Sequence, residues 1–357
     1  MKIKSFVGAL LSLGLLFSSL PARAAQRLLD VYWMDVEGGA ATLIVTPQKE
    51  SVLIDSGSAG GRDARRIFEA AKGAGLKKID YFVLTHFHTD HFGGIAEVAK
   101  MMPVGTLYDN GIPDSDPDHN PRDTKWAGRI QPYRDMKTDK RIVIQPGDQI
   151  PLRQAGGEDA LKLSLQCLGC RQTFIAAPTN APANPLCNTG ETHPADTTDN
   201  ANSVVLLLSY GPFRLFIGGD LTWNTEAHLV CPVNLVGTVD VYQVDHHGLD
   251  LSNNPLLVHS LSPTVSIMSN GPRKGCEPVT FATLSSVPTL EAMYQIHRNL
   301  REDSKNNAPM DYIANITEHC PGNYIKVSVA QDGMSYTVAI PGTGHHATYK
   351  TRMTAAN

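Results

Sequence analysis

IDYFVLTHFHTDHFGG, residues 79–94, is the stretch on which the fold turns. In it an apolar run, Tyr81-Phe82-Val83-Leu84, meets His86, His88, Asp90 and His91. Such a run reads as a buried strand, and the polar cluster begins where that strand should end. His86 and His88 are two apart, so in an extended segment both imidazoles face one side, while Asp90 and His91 fall in the turn that follows. Four ligand-type side chains therefore converge on one small volume. Imidazole with carboxylate suits zinc and its borderline neighbours better than calcium or magnesium, which prefer all-oxygen shells. Two ligand pairs point to two divalent metal ions, zinc or manganese.

Two later strands end the same way. Ser203 to Tyr210 and Phe213 to Ile217 read as a hairpin turning at Gly211-Pro212, with Gly218-Gly219-Asp220 at its exit. Two glycines leave the Asp220 carboxylate uncrowded and able to bridge two cations; its plain alternative is a helix N-cap, since Thr222 onward reads as helical. Val239 to Val244 is a further apolar strand, ending in Asp245-His246-His247-Gly248. By strand position His246 is assigned as a ligand and His247 to the substrate side, the reverse being the alternative.

These residues carry a resemblance. His86-Phe87-His88-Thr89-Asp90-His91, followed by Gly93-Gly94, resembles the signature of the metallo-β-lactamase superfamily. The resemblance implies an α/β fold, the αββα four-layer sandwich, with a one- or two-metal site at one edge; it does not imply lactamase activity. Within that superfamily, residues 35–41 are similar to the DVGQGDA opening of the hydrolase domain in bacterial DNA-uptake (competence) channel proteins. Leu53-Ile54-Asp55-Ser56-Gly57 resembles their LIDTG, and His246-His247-Gly248 their HHG. Glu37, Gly38 and Ala40 depart from the pattern. No channel-forming segments are present, so DNA uptake is not implied.

On this resemblance His86 and His88 hold the first metal, Asp90, His91 and His246 hold the second, and Asp220, in the shared GD motif, bridges them. Most of the superfamily supplies a third histidine to the first metal from the segment before the strand that leads to the bridging aspartate. Here residues 199–203 read Asp199-Asn200-Ala201-Asn202-Ser203. Either Asp199 or an asparagine fills the position, or His193 folds in, or the first metal is weakly held.

The chemistry expected of such a constellation is hydrolysis by a metal-bridging hydroxide, because coordination lowers the pKa of water from about 15.7 towards 7. Asp90 would orient the nucleophile and His247 would give a proton to the leaving group. The first functional reading is an exported metal-dependent hydrolase of phosphodiesters, whose small-molecule or polymer substrates include extracellular nucleic acid. The second is a carboxylic ester, lactone or amide hydrolase on the same scaffold. The third is a non-catalytic metal-dependent binding protein. No obligate protein partner is implied.

Around this centre, Lys2, Lys4, the apolar stretch Phe6 to Leu20 and Ala22-Arg23-Ala24 form a signal-peptide pattern. Residues 1–24 are the expected signal peptide, 25–345 the hydrolase domain and 346–357 a tail, in a secreted or periplasmic protein with no later membrane span. Of the 357 residues 42% are hydrophobic, enough for a substantial core, and a formal charge of −4 gives no overall basic footprint for nucleic acid. Six cysteines in an exported chain predict structural disulfides throughout. Cys167 and Cys170 alternatively suit half a zinc ribbon or a redox pair, though no second CxxC exists. Helices are predicted over Arg62 to Ala74, Ile95 to Met102, Trp126 to Met136 and Leu290 to Arg301. Asn110 to Arg122, with Asp114, Asp116, Asp118 and His119, reads as a solvated loop and a wall or lid, with cation binding the alternative.

Overall fold

Val52, Leu53 and Ile54 show how the layers arise from alternation. Val52 and Ile54 enter a core between two sheets, whereas Leu53 joins a second core beneath helices. The computed structural model describes residues 27–157, 160–189, 191–302 and 305–352. The expected signal peptide lies outside them.

The first sheet opens with β1 (Leu29–Trp33), β2 (Thr42–Val45), β3 (Ser51–Ile54), β4 (Ile79–Val83), β5 (Val104–Asp109) and β6 (Lys140–Val143). The second comprises β7 (Leu163–Cys170), β8 (Thr173–Phe174), β9 (Val205–Tyr210), β10 (Phe213–Ile217), β11 (Val241–Gln243), β12 (Val265–Met268), β13 (Ala292–His297) and β14 (Ile313–Asn315). The chain then returns to the first with β15 (Ile325–Val329), β16 (Ser335–Ile340) and β17 (His345–Lys350). The sheet orders are β17-β16-β15-β1-β2-β3-β4-β5-β6 and β14-β13-β12-β11-β10-β9-β7-β8.

Helices α1 (Arg62–Gly73), α2 (Thr89–Phe92), α3 (Ile95–Met101) and α4 (Trp126–Arg134) follow strands of the first sheet. Ile67, Ile95, Val98 and Ile130 pack with Leu43, Leu53 and Phe82. The second sheet is covered by α5 (Trp223–Val230), α6 (Pro255–Leu261) and α7 (Pro278–Ser285), where Leu229, Leu257 and Leu284 share a core with Phe216 and Tyr242. Helix, sheet, sheet and helix make the αββα sandwich. Among the described residues no helix is long and apolar enough to cross a membrane.

Runs of parallel strands, β3 to β6 and β10 to β14, place their carboxyl ends at one edge of the sandwich. That edge is where open α/β sheets bind ligands. Three expectations are corrected here. Leu290 to Arg301 contains strand β13 rather than a helix. Tyr294 and Ile296 face the core between the sheets and Met293 packs on the helix side, so both faces are covered; Gln295 and His297 alternate with them as in a strand, a period-2 signal that the helical reading passed over. The sheet continues through His345–Lys350, into the segment read as a tail. Of the six cysteines only Cys187 and Cys231 form a disulfide; Cys167, Cys170 and Cys276 are buried without one, as small apolar residues often are, and Cys320 is half-buried.

Candidate metal centre

The last turn out of β4 delivers His86, and α2 presents Asp90 and His91 within its four residues. Asp220 arrives from the end of β10, where the backbone must pass very close to its neighbours. A Cβ on Gly218 would lie 2.4 Å from Asp245 Oδ1, and Gly219 has φ +64 with Thr85 2.9 Å from where its Cβ would be. Beyond β11, His246 (φ 51) and His247 (φ 56) are both left-handed. Two such non-glycine residues in succession cost on the order of 1–3 kcal/mol each and turn both imidazoles into the site instead of to opposite faces.

One oxygen is the focus of this geometry. Asp220 Oδ2 lies 3.2 Å from His91 Nε2, 3.2 Å from His247 Nε2, 3.6 Å from His246 Nε2 and 3.9 Å from His86 Nε2. His247 Nε2 is also 3.3 Å from His91 Nε2 and 3.5 Å from Asp90 Oδ2.

Each histidine is anchored by its other nitrogen. His91 Nδ1 is 2.8 Å from Asp55 Oδ2, His86 Nδ1 is 3.1 Å from Thr85 Oγ1, and His246 Nδ1 is 3.0 Å from Ser252 Oγ. His247 Nδ1 donates to the Ser269 carbonyl at 3.2 Å, and His88 Nε2 bonds Asp118 at 2.9 Å. This is the arrangement in which a carboxylate, carbonyl or hydroxyl fixes the tautomer and leaves the inward nitrogen's lone pair for a metal. His86 Nε2, fully buried, has no hydrogen-bond partner at all. A buried nitrogen orphaned beside a carboxylate fits a cation.

The electrostatics agree. Burial, helped by His91 and His88, pushes the His86 pKa well below the ordinary value; burial pushes His246 down to about 4 against the pull of Asp220. Both are therefore neutral imidazoles. Burial is the largest influence on His91 and His247 and acts the same way, but the surrounding carboxylates together, Asp220 with Asp55 and Asp90 at His91 and Asp220 with Asp90 at His247, outweigh it and raise both. Burial would raise Asp90 and Asp220, yet the facing histidines, joined at Asp90 by Lys274, hold both well below the carboxylate range.

The residues foreseen from sequence divide into two groups. His86, His91, Asp220, His246 and His247 converge, and Asp90 joins them beside His247. In contrast to the expected roles, His247 lies with Asp90 and His91, while His246 Nε2 sits 3.4 Å from Asn200 Nδ2. Strand parity does not separate the pair, because the left-handed turn brings both imidazoles to Asp220. Asp199 has its oxygens occupied: Oδ2 accepts from the Phe87 amide at 2.6 Å and Oδ1 from Asn202 Nδ2 at 3.1 Å. It fixes the backbone between His86 and His88 rather than facing the centre. His193 stacks on Trp223 instead, with ring centroids 4.0 Å apart.

Residues 34–158 match the model of the metallo-beta-lactamase superfamily. Those residues belong to that superfamily. It is similar to a UPF0173 metal-dependent hydrolase of Polynucleobacter asymbioticus, 34% identical over 107 residues, 28% of this chain and 36% of that protein. It is also similar to Recombination protein 2 of Haemophilus influenzae, 25% identical over 241 residues, 67% of this chain and 24% of that protein. The chain thus matches about a third and a quarter of these relatives' lengths. Among solved structures, a Cronobacter sakazakii metallo-beta-lactamase with the HARLDQ motif is 16% identical, covering 59% of this chain and 76% of that one, with a TM-score of 0.36. A diphosphatase from the PhnP family is 13% identical, covering 66% and 74%, with a TM-score of 0.34.

Several residues around the centre escaped the sequence reading. Asp55 anchors His91, and its position at the end of a strand was the available signal. Lys274 Nζ bonds Asp90 Oδ2 at 2.6 Å from a loop about 180 residues away, and no local pattern marks it. Asp35, His297 and Cys320 form a second cluster, with Asp35 Oδ1 2.7 Å from His297 Nε2. Arg66 Nη1 stands 2.9 Å from Asp35 Oδ2, so an arginine supplies the positive charge there and the cluster ties the Asp35 loop to β13.

Proposed function

We propose that this protein is an exported, metal-dependent hydrolase of phosphodiesters with a binuclear centre. The observation that carries the reading is the convergence of four histidine Nε2 atoms on Asp220 Oδ2, each imidazole anchored from behind. Asp90, His91 and His247 would hold one metal and His86 and His88 the other, with the Asp220 carboxylate shared between the two sets. His246 would take the third-histidine place beside His86 and His88, since residues 199–203 contain no histidine.

When bound, the two ions supply a water-derived nucleophile near neutral pH and polarise the phosphoryl oxygen. The chain's own groups do the rest. Asp55, Thr85, Ser252, Ser269 and Asp118 hold the imidazoles in the ligating tautomer. Lys274, with its side chain 40% exposed beside Asp90, binds a non-bridging phosphoryl oxygen and stabilises the charge that develops on it. Similarity to Recombination protein 2 and to the competence-type motifs supports phosphate chemistry over the carboxylic ester alternative. The disulfide supports an oxidising compartment.

The test is hydrolysis of bis(p-nitrophenyl) phosphate by the zinc- or manganese-loaded protein. Metal-dependent turnover that disappears in Asp220→Ala is expected. Two bound metals without turnover would overturn the phosphodiesterase reading and favour carboxylic esters or lactones.

A further inference from the structure

Next to the centre lies a cavity of about 770 Å³. Such a volume holds a small organic group. Asn200 belongs to both places: it lines the cavity and its Nδ2 is 3.4 Å from His246 Nε2. Asn200 is 7% exposed, and its Oδ1 accepts no hydrogen bond. An unmet acceptor at the junction calls for a donor.

The walls are fixed before any ligand arrives. Cys187–Cys231 joins one wall, from the irregular loop, to the end of α5. Asn224 Oδ1 accepts from the His193 amide at 3.0 Å and Asn224 Nδ2 donates to the His193 carbonyl at 2.6 Å. Trp223 Nε1 donates to the Glu191 carbonyl at 2.9 Å while its ring stacks on His193. A preformed wall lowers the ordering cost of binding.

The charge pattern of the lining selects the ligand. Among the described residues the cavity presents the carboxylates of Glu191 and Asp196, the amide of Gln172, the imidazole of His228 and several threonines beside the apolar faces of Trp223 and Leu256, with neither lysine nor arginine. Lys274, the cation at the centre, is on Asp90 and does not line it. A second phosphate in this space would meet carboxylates and no fixed positive charge. Resting on the hydrolase reading above, we propose that the cavity beside Asn200 and Trp223 receives the part of the substrate beyond the scissile phosphate, and that this part is a hydrogen-bonding group without negative charge. The preferred substrate is then a phosphodiester of a polar small molecule or neutral polymer rather than a polyanionic nucleic acid.

Four phosphodiesters sharing a p-nitrophenyl leaving group test this, the second ester being methyl, 2-hydroxyethyl, 2-aminoethyl or carboxymethyl. With the zinc-loaded full chain, kcat/KM for the hydroxyethyl and aminoethyl esters should exceed that for the carboxymethyl ester by at least about tenfold. In Glu191→Gln/Asp196→Asn the gap between aminoethyl and carboxymethyl esters should shrink to within about threefold. Equal or better use of the carboxymethyl ester, or an unchanged gap in the double variant, would overturn the inference. If none of the four is cleaved, the hydrolase reading fails by itself. Calorimetric binding of 2-aminoethyl methyl phosphate against carboxymethyl methyl phosphate then decides the cavity's preference, tighter aminoethyl binding upholding it and equal or weaker binding overturning it.

Discussion

His91 Nδ1 and Asp55 Oδ2 are 2.8 Å apart, both fully buried, and the same carboxylate takes the Thr85 amide and hydroxyl. Asp55 thereby fixes which His91 nitrogen faces Asp220. Asp55→Asn replaces one acceptor oxygen with a donor and should weaken metal affinity about 10–100-fold. Competition with a chromogenic zinc chelator measures this; unchanged affinity would mean that His91 is oriented by other contacts.

Lys274 touches Asp90 without being one of the imidazole or carboxylate ligands. Lys274→Met should leave zinc content intact and lower kcat/KM for phosphodiesters by roughly 10–100-fold, the scale of one lost charge-stabilising donor. Steady-state kinetics beside metal analysis separates this from loss of the centre.

The Cys187–Cys231 bridge closes a loop of sequence separation 44. In the chain-entropy account such a link contributes about 3–4 kcal/mol, most of it by restricting the unfolded chain. Cys187→Ser/Cys231→Ser should lose stability of that order in urea unfolding. It should bind zinc as before, since neither sulfur approaches the metal ligands.

Glu226 gives a pH signature away from the metal ligands. It is fully buried, accepting from the Asn253 and Asn254 amides at 2.8 and 2.7 Å, and burial pushes its pKa up to about 7. The native state thus keeps a proton that the unfolded chain has released above its ordinary value of 4.5. This group's stabilising contribution is full below that value, is lost as pH rises towards about 7, and is constant above. Its share of the loss is on the order of 3 kcal/mol. Urea midpoints at pH 5 and 7.5 should therefore differ less in Glu226→Gln than in the native chain.

Much of this was legible because local patterns coincided with layers. Strand and helix alternation around residues 79–94 gave a layered α/β domain, the motif resemblance implied the sandwich, and apolar strands ending in His86, Asp220 and His246-His247 gave the centre's main side chains. What stayed hidden depended on tertiary context. The left-handed φ values of His246 and His247 remove the basis of a strand-parity argument, and nothing in the sequence announces them. Asp199 has the chemistry of a ligand, but its carboxylate goes to the Phe87 amide, a contact across 112 positions. β13 carries a short Tyr294-Gln295-Ile296-His297 alternation, but Ala292 and Met293 before it are both apolar, so the signal spans only four residues.

Zinc titration of the metal-free protein, beside Asp220→Ala, is the most direct test of a centre built on one shared carboxylate. Two tight equivalents in the native chain and no more than one in Asp220→Ala are expected. Two tight equivalents in Asp220→Ala, or a single one in the native chain, would contradict a binuclear site bridged by Asp220.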